Sequence, residues 1–327
     1  MSKGKVIQAI KRHSNFLISS HVGLEGDALG SELALASLLG KLGKRALIIN
    51  NDAVPANYSF LAKAKQALAI GSLGKETLRK IRNNYFQAAI ILDCSQKHRI
   101  GKVISLIDHL PVINIDHHLD NKGFGQINWI DPGASSAGEM VYHLFAQAKL
   151  CLDKDDALNL FTAISTDTGF FRHANATSAT FHICAELVKL GVSPAEIYSR
   201  VYEDNSAQQA GYLGKIISRM RFVAGKQIAW TEIRPAEFSK ISGKHEVMDR
   251  VLDFARSIKT VQVAIIFSQV NKDLIKVSLR SKPPVNVQKI ALSFGGGGHR
   301  CAAGCVLQGG MKQAVEIILK HTRRILR

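Results

Sequence analysis

Four short apolar runs, each ending on a polar group, constrain this chain more than any other feature. They are NFLISS (15–20), RALIIN (45–50), AAIILD (88–93) and PVINID (111–116). Each has the length and composition of a buried strand. Between the first two lies DALGSELALASLLGKLG (27–43), with apolar residues at helical spacing. Strand–helix alternation predicts a parallel sheet with helices on both faces. In such sheets ligands gather outside the carboxyl ends of the strands. His21, Asp93 and Asp116 each stand at the end of one of these runs.

Two helices are expected next, over 135–150 and 153–169. Asp155 and Asp156 suit a helix start, where they complement the dipole. Asp167 sits near a helix end, where an acid is unfavourable, so something else must favour it. A further helical region covers roughly 176–218. The tail then changes character. MRFVAGKQIAWTEI and VQVAIIFSQVNKDLIKVSLRS read as hairpins, the second turning near Asn271–Asp273. Helical segments near 246–258, 286–293 and 311–325 complete an α+β unit. The expected α/β chain therefore has an N-terminal parallel-sheet domain over 1–185, a helical linker over 186–218 and a smaller α+β domain over 219–327.

No apolar run is long enough to span a membrane. Lys11, Arg12 and His13 break any signal-peptide core, and a cytoplasmic protein is the expectation. The five cysteines are scattered and odd in number, which argues against a disulfide framework. Cys301 and Cys305 lack the second pair that a four-ligand zinc site needs. The net charge is +17, and it is uneven. Residues 1–185 carry 20 Lys+Arg against 15 Asp+Glu, while 186–327 carry 23 against 11. A basic second half suggests a polyanionic partner such as nucleic acid or nucleotides; a generally basic proteome gives the same excess.

His21, Glu25, Asp27, Asp93, Asp116, His117, His118 and Asp167 all fall at strand or helix ends. Acids crowded together without cations would force one another to protonate. Imidazole and carboxylate together suit Mn²⁺, Fe²⁺ or Zn²⁺, while Mg²⁺ prefers oxygen. Two metals about 3.5–4 Å apart brace an in-line attack on phosphorus. Taken alone, Asp27 also reads as a helix N-cap. The run Gly295, Gly296, Gly297, Gly298 and His299 has two readings, a flexible turn or a loop whose backbone N–H groups approach phosphate.

In this order, HVGLEGDALGS, ILDCSQ, INIDHH and ISTDTGFF closely resemble the motifs of the DHH phosphoesterase superfamily, and FGGGGHRCAAG resembles the hallmark of its associated substrate-binding domain. The two-domain plan resembles the stand-alone branch that degrades short RNA and 3′-phosphoadenosine 5′-phosphate (pAp). The resemblance implies that His21 and Glu25 bind one metal and Asp27 another, with Asp93 bridging both. It implies that His117 and Asp167 complete the set of ligands around the second metal, that Asp116 orients the histidines and that His118 contacts the scissile phosphate. The family usually has Asp where this chain has Glu25. Glutamate offers the same oxygens, so metal binding is expected to survive with an altered preference or affinity. Arg280, His299 and the four glycines are expected to grip a phosphate or terminal nucleotide, with Arg300 as a helper.

The expected enzyme uses two divalent ions, Mn²⁺ first with Mg²⁺ or Fe²⁺ as alternatives. It hydrolyses short single-stranded RNA to 5′-mononucleotides, pAp to AMP, or both. No obligate protein partner is evident, and a homodimer is compatible with the sequence. The alternatives are a cyclic or linear dinucleotide phosphodiesterase, a longer-chain exonuclease and a non-catalytic nucleic-acid-binding protein.

Overall fold

A computed structural model describes residues 2–83, 85–204, 206–238 and 244–326. The chain forms two units, Met1–Asp204 and Asn205–Arg327. The division falls inside the stretch read above as a linker.

The first unit contains strands β1 (Asn15–Ser19), β2 (Arg45–Asn50), β3 (Ala67–Ala69), β4 (Ala88–Leu92), β5 (Val112–Asp116) and β6 (Ile127–Ile130). Its helices are α1 (Ser2–Arg12), α2 (Gly26–Lys41), α3 (Lys75–Arg82), α4 (Ile104–Ile107), α5 (Ala137–Ala148), α6 (Lys154–Asp167), α7 (Ser178–Lys189) and α8 (Pro194–Tyr202). All six strands are parallel, in the order β3-β2-β1-β4-β5-β6. Alternate residues feed two cores. Phe16, Ile18, Ile90 and Ile115 pack with residues of α1, α2, α5 and α6. Leu17, Ile49, Ala89 and Ile91 pack on the opposite face with Ile81, Ile100 and Ile107. Burial on both faces explains why the strands read as continuous apolar runs. The order reverses between β1 and β4, the crevice where doubly wound sheets take ligands.

The second unit contains α9 (Ala207–Ser218), β7 (Arg221–Val223), β8 (Ile228–Ile233), α10 (Pro235–Phe238), α11 (Lys244–Ser257), β9 (Val263–Asn271), β10 (Leu274–Ser281), α12 (Gln288–Leu292), β11 (Gly297–His299), β12 (Ala302–Gln308) and α13 (Met311–Ile325). Its mixed sheet has the order β11-β12-β10-β9-β8-β7, with β8 and β9 parallel. Both expected hairpins are present.

Two features add detail to these readings. The helical region 176–218 is three helices: Gly191, at φ 92°, lies between α7 and α8, and α9 belongs to the second unit. The glycine run is not simply a turn, because Gly297–His299 pair with Ala302–Gly304 as a strand. A side chain on Gly296 would stand 2.1 Å from the Gly304 carbonyl oxygen, and one on Gly298 2.5 Å from that of Ala302. Glycine is therefore required there for close backbone approach.

Candidate metal centre

The three central strands β1, β4 and β5 end side by side, and each delivers a ligand-type residue from its carboxyl end. His21 follows β1, Asp93 follows β4, and Asp116, His117 and His118 close β5. Asp93 has φ 51°, a left-handed conformation uncommon outside glycine and typical of functional positions. Glu25 and Asp27 enter from the start of α2, and Asp167 from the last turn of α6. Helices α2 and α6 pack closely. A side chain on Gly30 would meet the Asn159 carbonyl oxygen at 2.4 Å.

These residues form two groups that share Asp93. His21 Nε2 lies 3.2 Å from Asp93 Oδ2 and 3.9 Å from Glu25 Oε1. His117 Nε2 lies 3.4 Å from Asp93 Oδ1, 3.7 Å from Asp27 Oδ2 and 3.8 Å from Asp167 Oδ2. Within each of the sets His21/Glu25/Asp93 and Asp27/Asp93/His117, potential ligand atoms lie within 4.8 Å of one another. Asp27 and Asp93 are essentially inaccessible to solvent, whereas Glu25 is 51% exposed. Asp93 Oδ1 is buried without a hydrogen bond. A buried carboxylate oxygen among imidazoles and further acids has the donor set of a cation site. The residues fit a pair of divalent ions.

Asp27 is not the cap of α2, a position held by Glu25. Its carboxylate instead accepts hydrogen bonds from the backbone N–H groups of Ala137 (2.8 Å) and Gly138 (2.9 Å), at the start of α5. The positive end of that helix offsets part of the cost of burying an acid.

The protonation pattern reports the same crowding. Burial, then the Asp93 and Asp167 carboxylates, push Asp27 well above the usual carboxylate range. Burial also raises Asp167, against the pull of His117. Burial opposes ionisation of Asp93, but His117 and His21 outweigh it and hold its carboxyl well below that range. Burial lowers His21, yet Asp93 prevails and brings it up to about 9, with Arg99 opposing. His117 is raised well above its ordinary value, against burial, by Asp167 and Asp93. Protonated imidazoles supply the positive charge that cations supply in a loaded site.

Asp116 Oδ1 accepts from His118 Nδ1 at 2.8 Å. Asn121 donates to both Asp116 Oδ2 (2.6 Å) and Asn114 Oδ1 (2.8 Å), fastening the segment after β5 to the strand. Sequence reasoning missed Asn121, Asn114 and Asn175. Asn175 Nδ2 donates to Asp167 Oδ2 (3.0 Å) and to the Ser135 carbonyl (2.8 Å). It also missed Glu32, 0% exposed, which accepts from Asn50 Nδ2 at 2.7 Å and which burial pushes up to about 8. Asn50 in turn accepts from Ser20 N, beside His21. The available signal was a polar residue inside an apolar strand, as at Asn50 and Asn114. Asn175 left no such signal.

In the second unit, Arg280 on β10 and His299 on β11 flank Ala302 of β12 in one cross-strand row. They therefore stand on the same sheet face. Arg280 Nη2 pairs with Asp249 Oδ1 at 2.7 Å, and the fork keeps further donors. Arg300 Nη2 donates to the Pro284 carbonyl. Cys301 and Cys305 are free thiols. Among the described residues, no helix is long and apolar enough to cross a membrane.

Residues 15–164 match the DHH family, N-terminal domain, and residues 235–327 match the DHHA1 domain. A Thermus thermophilus protein named bifunctional oligoribonuclease and PAP phosphatase NrnA is 32% identical, with 94% of this chain and 89% of that one covered. The Bacillus subtilis protein of the same name is 24% identical, covering 92% of each. An exopolyphosphatase-related protein from Bacteroides fragilis, known from its crystal structure, superposes with a TM-score of 0.87 at 26% identity, covering 100% of this chain and 98% of the other.

Proposed function

The chain belongs to the DHH family, with a DHHA1 domain in its second unit, and from that premise we propose that it is a metal-dependent phosphoesterase hydrolysing short oligoribonucleotides to 5′-mononucleotides and pAp to AMP. One observation carries the reading: two ligand groups, His21 with Glu25 and Asp27 with His117 and Asp167, meet at Asp93. Two divalent ions there, with Mn²⁺ best suited to the mixed donors, supply positive charge to phosphoryl oxygens and lower the pKa of water.

The residues do the rest. Asp93 is common to both groups and sets their spacing. Asp27 and Asp167 bring negative charge, and Asn175 holds the Asp167 carboxylate in place. Asp116 engages His118 Nδ1 and so orients the ring that contacts the scissile phosphate. The second unit's Arg280 and His299 grip a further phosphate of the substrate. Water oxygen bonds to phosphorus and the bond to the 3′-oxygen breaks, the 3′-oxygen leaving with a proton. In short RNA this frees a 5′-mononucleotide. In pAp it frees inorganic phosphate and AMP. Both substrates lose the same P–O3′ bond, so one site serves both.

The test is a panel of pAp, a linear dinucleotide, a five-nucleotide RNA and cyclic di-AMP, assayed with Mn²⁺ and scored by product. AMP from pAp and 5′-mononucleotides from RNA are expected. Turnover confined to cyclic di-AMP, or RNA binding without turnover in metal-loaded protein, would overturn the proposal.

A further inference from the structure

The face that carries Arg280 and His299 extends further along β10. Odd-numbered residues Ile275, Val277 and Leu279 are buried in the core on the other face, and Lys276, Ser278 and Arg280 alternate with them, half-buried. The register sets out three rows. Arg280 lies beside Ala302 and then His299; Ser278 beside Gly304 and then Gly297; Lys276 beside Val306. The middle row is almost without side chains, so it forms a flat floor between two cationic ends. The core on this face includes Ala264 and Ile266 of β9 but no residue of β10, β11 or β12. Val306 is 50% exposed. The floor is therefore open at the β12 side.

From this arrangement we infer that Lys276 is a second phosphate grip, taking a phosphodiester of an oligonucleotide whose neighbouring phosphate is held by Arg280 and His299. The inference rests on the proposed activity and adds a length preference to it. Four residues of strand separate the Lys276 and Arg280 backbones, about 13 Å at the usual rise, and the two side chains on this face reach toward adjacent phosphates of one strand. pAp has two phosphates, of which one is scissile and the other is left for Arg280 and His299. None remains for Lys276. A five-nucleotide RNA has phosphates to spare, and its sugars and bases can lie across the Ser278–Gly304–Gly297 floor. Lys276 is poised for such a ligand. Burial holds its ammonium below the ordinary lysine value, and Asp249, whose charge opposes that shift, is already bonded to Arg280. A phosphate there replaces water that the ammonium has already partly lost.

The experiment compares the wild type, Lys276→Gln and Lys276→Arg. Affinity for fluorescent two- and five-nucleotide RNAs is measured in EDTA, where nothing is cut, across a salt series. KM for pAp and the five-nucleotide RNA is measured on the same preparations with Mn²⁺. In Lys276→Gln, the ratio of KM for the five-nucleotide RNA to KM for pAp should rise at least fivefold. The salt dependence of five-nucleotide binding should flatten by about 0.7 in log–log slope, the value for one lost contact to a single strand. Lys276→Arg should restore both. A KM that rises equally for the two substrates, or a salt slope unchanged for the longer RNA, would overturn the subsite. Failure of the activity itself gives a different result, a wild type that turns over neither substrate, and the binding series then decides on Lys276 alone.

Discussion

The two units hold charge in opposite ways. In the first, Asp27, Asp93, Asp116 and His117 are buried at strand and helix ends, and backbone N–H groups, asparagines and imidazoles fix their positions. In the second, Arg280 and Lys276 are half-buried on an open sheet face, and Arg280 leans on a largely exposed Asp249. Buried charges crowded together need a counter-charge of fixed geometry, which suits metal ions. Charges on an open face can exchange one partner for another, which suits a substrate that comes and goes. Changes in the first unit should therefore alter metal content and kcat, and changes in the second KM alone.

The largest effect should come from Asp93→Ala, which removes the residue common to both ligand groups. Hydrolysis should fall by at least ~10²-fold, scaled from the size of metal and outer-shell effects. The fold should persist, because Asp93 follows a strand and does not pack in the core. Circular dichroism beside the kinetic assay checks both. Retained turnover after metal repletion would remove the distinction between the units.

Arg280→Ala sharpens the comparison from the other side. Losing a charge-assisted hydrogen bond to phosphate should raise KM about tenfold, with metal content at the wild-type level by elemental analysis. A loss of metal instead would place Arg280 on the wrong side of the division.

Glu25 is the most exposed member of the first site, and its effect should be smaller. Glu25→Asp should keep turnover and shift the metal concentration needed for half-maximal rate. Glu25→Gln should weaken metal binding by several-fold, since an amide brings no charge to the cation. Superimposable metal titrations for all three proteins would exclude Glu25 from the site.

The smallest predicted effect is a pH slope. His21 stands at about 9 against an ordinary 6.5, and Glu32 at about 8 against 4.5. Both are raised in the folded state. Their contribution is full below the unfolded values and is lost as pH rises through the folded ones. The melting temperature of the metal-free protein should therefore fall between about pH 5 and pH 9. Saturating divalent metal holds His21 deprotonated and should reduce that slope. Equal slopes with and without metal would contradict the assignment of His21.

Much of this was legible from residue order. The apolar runs predicted β1, β2, β4 and β5, and the polar residues at their ends foretold the site edge, because parallel strands buried on both faces must keep charge at their ends. The strands β3, β6 and β11 were not legible. Each is only three or four residues long, and Gly297–His299 is held by its neighbour β12 and not by its own composition. The hold of α5 on Asp27 was also hidden, since it joins residues 110 and 111 positions apart. Asn175 is a loop residue whose role depends on where Asp167 and Ser135 meet in space. Glu25 was identified by its place in the motif, but its exposure came only from the fold.

The central claim is that two metal ions share Asp93. Calorimetric titration of the metal-stripped protein with Mn²⁺, with bound metal counted afterwards by elemental analysis, addresses it directly. The wild type should bind two ions per chain, and Asp93→Ala should bind fewer than one at the same free concentration. An Asp93→Ala protein that still holds two ions, or a wild type that holds only one, would contradict a shared bridging carboxylate.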